Sequence, residues 1–277
     1  MLRGILRYVR LNGPWALHLV PGSARDQRLP TASIWRGNGI IARVPNTRVA
    51  TEIVASRLPT VIIDPFDPFL APSHPLSRYC RVCCDSQAVA RLAADHLIAA
   101  GFIHFAFADA PTAPNWSRWR QEAFVSRLAE HGHDCAVYPL PSARDRAEWE
   151  RERAAMCRWL AKLPKPVAVF TANDARGRQV LDACLAADLP APYQVAVLGV
   201  NDDELICDTS QPPLSSVAVD VEHAGYAAAE LLDQMMRGTL REPRIITYQP
   251  IGVTRRASTE RLPVTDRLVI RALEYIR

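Results

Sequence analysis

Residues 167–184 read VAVFTANDARGRQVLDAC, and residues 195–205 read VAVLGVNDDEL. Each opens with an unbroken apolar run of strand length, breaks at Asn and Asp, and resumes as a helix-like pattern. A run with no polar alternation belongs to a strand covered on both faces, as in a parallel sheet wrapped by helices. Asn and Asp directly after such a run suit the start of the next helix. Outward from these two stretches the same rhythm recurs. Strands are expected over residues 39–44, 60–64, 80–84, 103–108, 134–138, 166–171, 194–200 and 215–219, with a closing strand pair within 245–253. Helices are expected over 47–58, 86–100, 117–130 and 147–162, from Asn173 onward, and up to Met236. Between them, residues 65–75 carry Pro65, Pro68, Pro72 and Pro75 and read as a loop without regular structure. Strands alternating with helices predict an α/β fold of mostly parallel, doubly wound sheets. The strands suffice for two such sheets, hence two lobes. No Pro/Gly linker divides them, so the chain is expected to cross between lobes more than once.

The chain opens MLRGILRYVRLNGPW. Leu2, Ile5, Leu6 and Val9 recur at helical spacing, with Arg3, Arg7 and Arg10 on the other side. Gly13-Pro14 ends that helix, and residues 15–20 alternate like a half-buried strand. The helix begins without an N-cap residue, which leaves its first N–H groups unpaired.

A chain of 277 residues with 49% apolar and 22% charged residues can bury a sizeable core. No apolar run approaches the about 20 residues of a membrane span, and the start lacks the pattern of a secretory signal. The expected location is the cytoplasm. The net charge of +4 is carried almost wholly by arginine, lysine occurring only at Lys162 and Lys165. No stretch has the dense basic clustering of a surface that tracks nucleic-acid phosphates.

Seven cysteines in such a chain read as reduced thiols. Cys80, Cys83 and Cys84 resemble a C-x-x-C pair, but residues three apart on a strand face opposite ways, and no second pair stands at chelating distance. No metal and no cofactor are expected. Phosphate-cradling glycine motifs, a G-x-S-x-G elbow and H-E-x-x-H are all absent, so the reading is a non-enzyme.

In parallel α/β sheets ligands gather at the carboxyl ends of strands. The residues there are Asp64 with Phe66 and Phe69; Asp85; Asp109, followed by Trp116 and Arg120; Asn173 and Asp174; and Asn201, Asp202 and Asp203. Asn, Asp and Arg offer the paired donors and acceptors that suit vicinal hydroxyls. Trp and Phe offer flat faces for a sugar ring. Each has a plainer role to weigh: Asp85, Asp174 and Asp203 as helix caps, Trp116 and Trp119 as core, Arg120 as a surface arginine.

These segments together are similar to the sugar-binding domain of the LacI/GalR transcription regulators, a periplasmic-binding-protein-like fold. The resemblance is carried by LRGILRYVRLNGPW, NGIIARV, DHLIAAGFIHFAF, RWRQEAFVSRLAEHG, VAVFTANDARGRQVLDAC, VAVLGVNDDEL and PLSSVAVDVEHAGYAAAELL, covering most of residues 1–256. The narrower likeness is to the xylose operon regulator group, whose sugar domain precedes an AraC-type helix-turn-helix domain. That resemblance implies a ligand cleft between two lobes, with Arg120, Asn173, Asp174, Asn201, Asp202 and Trp116 binding the ligand. Where the family carries Asp two residues after the glycine, this chain has Asn201 and then Asp202, so either residue is a candidate for the sugar contact.

The implied organisation is a sensor over 1–256. Its N-lobe spans about 1–109 plus 219–246 and its C-lobe about 110–218 plus 247–256. A linker at 257–265 and the start of a helix-turn-helix domain at 266–277 follow. Relative to the family, a strand before the first helix and the remaining DNA-binding helices are missing, so both ends are expected to be clipped. The resemblance implies a ligand-responsive, dimeric regulator of sugar catabolism, with D-xylose as effector. It would reach operator DNA through the missing C-terminal domain and have no membrane partner. The alternative is a sugar-binding receptor of a transport system.

Overall fold

The computed structural model describes residues 1–20, 36–110, 115–139, 149–260 and 269. The chain divides into two compact units. One comprises residues 1–85 and 220–249, the other 86–219 and 250–277.

The first unit is built on a four-stranded sheet of β1 (Ile40–Ala42), β2 (Thr60–Ile63), β3 (Cys80–Cys84) and β9 (Ile245–Tyr248). They lie in the order β1-β2-β3-β9, all parallel. β2 is buried at every residue, as its unbroken apolar run requires. The helix Thr47–Ser56 turns Val49, Ala50 and Ile53 into this core. Asn46 caps it by accepting from the Val49 N–H at 2.9 Å, and Arg57 ends it at φ 55°.

The helices Leu2–Asn12 and Val221–Met236 pack at backbone distance. A Cβ on Gly4 would stand 1.8 Å from the Glu222 carbonyl oxygen, and one on Gly225 1.9 Å from that of Met1. Tyr8 then closes the pair by donating its hydroxyl to Asp233 at 2.8 Å.

The second unit holds a six-stranded sheet: β4 (His104–Ala108), β5 (Cys135–Val137), β6 (Val167–Thr171), β7 (Val195–Val200), β8 (Ser215–Val219) and β10 (Pro250–Thr254). Their order is β10-β8-β7-β6-β4-β5, parallel except that β10 runs antiparallel to β8. Phe107, Phe124 and Phe170 form one aromatic cluster in its core, with centroids 4.8–6.4 Å apart. On another side of the core Glu152 and Arg176 form a 2.5 Å ion pair, both side chains only 1% exposed.

The structure corrects five expectations. Residues 65–75 are not wholly irregular: Asp67–Leu70 is a short helix, and Pro75–Arg78 forms a 3-10 turn capped by His74. Proline is tolerated in a first turn, whose N–H groups have no helical acceptor. Residues 15–20 pair with no strand among the described residues. That stretch and Ile41 of β1 instead line a common groove of about 580 Å³, and most of its side chains are exposed. The expected closing pair, β9 and β10, belongs to two different sheets.

The first crossing between units falls after Asp85, not near 109. The reason is that β4 is laddered between β5 and β6, and the helix Ser86–Ala99 packs on the helix Asn115–Glu130. Residues 257–260 are not a free linker. Ala257–Thr259 is a 3-10 turn whose Ser258 hydroxyl donates to the Val197 carbonyl at 2.6 Å and accepts from the Ser215 N–H at 2.8 Å. The remainder of the expected linker and the helix-turn-helix start at 266–277 lie outside the described residues, Val269 excepted.

Candidate functional site

The six predicted residues all belong to the second unit; four of them, Asn173, Asp174, Asn201 and Asp202, follow the carboxyl ends of its strands, and Trp116 and Arg120 come from one helix. β7, β6 and β4 are neighbours in that sheet, so the segments that leave them, at Asn201, Ala172 and Asp109, emerge side by side.

Arg120 reaches this edge from the helix Asn115–Glu130. It is 4% exposed, so it is not a surface arginine. Its Nη1 donates to the Ala172 carbonyl at 2.5 Å, beside Asn173. One turn back on the helix, Trp116 lies under the guanidinium, with the ring centroid 5.0 Å from Cζ. The spacing of four residues puts both on one helix face, and the stacked cation gains a quadrupole interaction. The helix start is tied to β4 through the Ser117 hydroxyl, which donates to the Asp109 carboxylate, and the same oxygen accepts from the Ala110 N–H at 2.7 Å.

Asn173 is the N-cap of the helix Asp174–Ala186, its Oδ1 accepting from the Arg176 N–H at 2.8 Å. Asp174 follows as a buried carboxylate. One oxygen accepts from the Ser216 hydroxyl at 2.6 Å and the other from the Asp203 N–H at 2.8 Å. Burial is the main cause that pushes its pKa up to about 6; the charges of Asp202 and Asp203 add to this, and the two hydrogen bonds oppose it. Gly199 is what allows the close approach, since a Cβ there would stand 2.3 Å from Asp174 Oδ1. Asp174 therefore ties the start of its helix to both the loop after β7 and the strand β8.

Asn201 and Asp202 differ in what holds their side chains. Both sit at positive φ, 111° and 54°, a region that Asn and Asp enter more readily than most residues. Asp202 is held by the protein: its carboxylate accepts from Thr254 at 2.6 Å and from Arg256 Nη1 at 2.7 Å. Asn201 anchors the loop through its backbone, donating to the Val217 carbonyl at 3.0 Å, while its side chain is exposed. Asp203 caps the next short helix by accepting from the Ile206 N–H at 3.2 Å, the plainer of its two expected roles.

In the first unit the corresponding strand ends hold Asp64 and Asp85. Asp64 sits at φ 43°. Its carboxylate accepts from the Cys84 N–H at 2.8 Å, Arg43 at 2.8 Å and the Tyr248 hydroxyl at 2.9 Å. Burial and the Asp64 charge hold the Tyr248 hydroxyl far above its ordinary range. Asp85 accepts from Gln249 at 3.2 Å. Phe69 is core, packed edge-on to His74 with centroids 5.3 Å apart, so it offers no open face for a ring.

Sequence reasoning did not single out Ser117, Ser216 or Arg256, which position the candidate residues. Nothing local marks them, because each acts on a residue 8 to 54 positions away. All seven cysteines are free thiols, and no group of three His, Cys, Asp or Glu among the described residues could hold a metal ion.

Residues 94–259, more than half of the chain, match the model of the periplasmic binding protein-like domain. The chain belongs to the periplasmic binding protein-like family. Within this family it is 30% identical over 253 residues to the xylose operon regulatory protein of Escherichia coli K12, covering 90% of this chain and 63% of that protein. It is 32% identical over 243 residues to the xylose operon regulatory protein of Haemophilus influenzae, covering 87% of this chain and 62% of that one. The chain thus spans less than two thirds of the length of these curated relatives. Among solved structures it is similar to that of the xylose-binding transcription activator xylR, with a TM-score of 0.81 and 26% identity over 99% of this chain and 69% of the other. No helix among the described residues is long and apolar enough to cross a membrane.

Proposed function

We propose that this periplasmic binding protein-like chain is the sensor of a sugar-responsive transcription regulator, and that its effector is a small sugar, D-xylose. The observation that carries the reading is the Arg120 fork, buried, stacked on Trp116 and seated beside Asn173. A planar set of donors next to a flat apolar face is what a polyol ring requires: hydroxyls in the plane, C–H bonds against the indole. Arg120 and Asn173 supply the polar contacts, and Asn201, rather than the committed carboxylate of Asp202, supplies the third. Asp174 acts beneath them by fixing the strand ends. The xylose operon regulatory proteins to which the chain is similar across most of its length favour the pentose and a role in transcription over transport.

A sugar acts on such a sensor only through its different affinity for two conformations. Operator DNA would be reached through a domain beyond the described residues, and the regulator would work as a homodimer in the cytoplasm. No residue here is assigned a catalytic role. Calorimetric titration with D-xylose, L-arabinose, D-ribose and D-glucose tests the reading. Saturable heat for D-xylose above the others is expected. Silence across the panel, or turnover of any member, would overturn it.

A further inference from the structure

At the end of the first unit's sheet away from Asp64 and Asp85 lies a pocket of about 340 Å³ that the sensor reading does not use. It is formed where β2, β3 and β9 begin. Its polar lining includes Arg57, Arg78 and Arg241, and its apolar wall includes Tyr79 and Met235. The three arginines are exposed, and none of them forms an ion pair with any carboxylate among the described residues. In the same unit Arg7, Arg43, Arg48 and Arg237 each have such a partner. Glu242 is the one acidic residue lining the pocket among the described residues.

The backbone fixes the positions from which these arginines project. Arg57 is set by the left-handed turn that ends the helix Thr47–Ser56. Arg78 closes the 3-10 turn Pro75–Arg78, whose Leu76 carbonyl accepts from the Tyr79 N–H at 3.1 Å. The strand start beside Arg241 is fixed by the Arg81 N–H donating to the Arg244 carbonyl at 2.9 Å. Three guanidinium groups against one carboxylate leave two positive charges around one concavity. A phosphate monoester carries about −1.5 to −2 charge near neutral pH and accepts the paired N–H bonds that arginine offers. The volume lies in the range of small-ligand sites, where an apolar wall with a few polar groups is usual.

We infer that this pocket binds a small phosphate monoester, its phosphate among Arg57, Arg78 and Arg241 and its carbon skeleton on Tyr79 and Met235. A nucleic-acid backbone is the less suitable occupant. It presents a run of regularly spaced phosphates, which calls for a basic stripe rather than one concave cluster with an apolar wall.

The test is calorimetry of the full chain with glycerol 3-phosphate, with glycerol and inorganic phosphate as comparators. Glycerol 3-phosphate is expected to bind one to one and more weakly as salt is raised. Arg78→Gln and Arg241→Gln should each weaken it by about tenfold or more, the loss of one charge-assisted bond, and Glu242→Gln should tighten it. The exposed Arg10→Gln should change nothing. Melting curves establish that the variants remain folded. The inference fails if glycerol binds as well as its phosphate, if glycerol 3-phosphate gives no heat, or if the double arginine variant keeps the wild-type affinity. It fails equally if a short DNA duplex binds through these arginines and glycerol 3-phosphate does not compete.

Discussion

Arg120 and Asp174 are both buried charged residues at one sheet edge, and their surroundings give them different work. Arg120 donates to a backbone carbonyl and stacks on an indole. Replacing it by alanine removes a desolvated, charged donor, so sugar affinity should fall by about 2–5 kcal/mol. Titration with D-xylose measures this, and unchanged affinity would take Arg120 out of the site. Asp174 is bound to protein on both oxygens, and its effect is a pH dependence of stability. Its pKa rises from 3.8 to about 6 on folding, so between those values the native state binds more protons than the unfolded chain. The group's contribution to stability is therefore fully present below pH 3.8 and is lost as pH rises through 6, by on the order of 3 kcal/mol. Urea unfolding of Asp174→Asn across this window should show a flatter profile than wild type; parallel profiles would refute the assignment. The types of these residues were readable in sequence because strand ends announce themselves by composition. Their division of labour was not, because Ala172 meets Arg120 from 52 residues away and Ser216 meets Asp174 from 42.

At the scale of elements, two packings invite direct tests. The helices Leu2–Asn12 and Val221–Met236 approach so closely that Gly225→Ala must push the Met1 carbonyl aside. A cost of about 1–3 kcal/mol is expected from such overpacking, measured by chemical denaturation. A variant as stable as wild type would show that the chain start yields freely. The buried Glu152–Arg176 pair links the helices Trp149–Lys162 and Asp174–Ala186. Glu152→Leu alone strands a buried cation and should cost about 3–5 kcal/mol, whereas adding Arg176→Met should recover most of that loss. Equal destabilisation of the single and double variants would contradict this.

Most helices and strands were legible in their periodicity, to within a few residues at each end. The failures share a cause. Residues 15–20 have the alternation of a strand, but a strand exists only where a neighbour accepts its hydrogen bonds. The short helix at Asp67–Leu70 and the 3-10 turn at Pro75–Arg78 escaped because proline forbids helix interiors but not first turns.

For the whole molecule, binding of the effector to the native state adds to stability. At a hundredfold excess over Kd, D-xylose should raise the unfolding free energy by about 2.7 kcal/mol. Denaturation with and without the sugar measures it, and a midpoint indifferent to saturating D-xylose would count against the sensor reading. By itself the sequence determined the α/β class, the two-unit organisation and which strand ends carry Asn, Asp and Arg, because these follow from periodicity and composition within short windows; the family was legible only through the resemblance of whole segments to known sequences. Only the tertiary structure decided where the units divide, that β9 and β10 serve different sheets, and that Asp202 belongs to Arg256 while the side chain of Asn201 stays exposed. Those outcomes depend on which distant segments share a ladder or a hydrogen bond, and local pattern does not encode the partner.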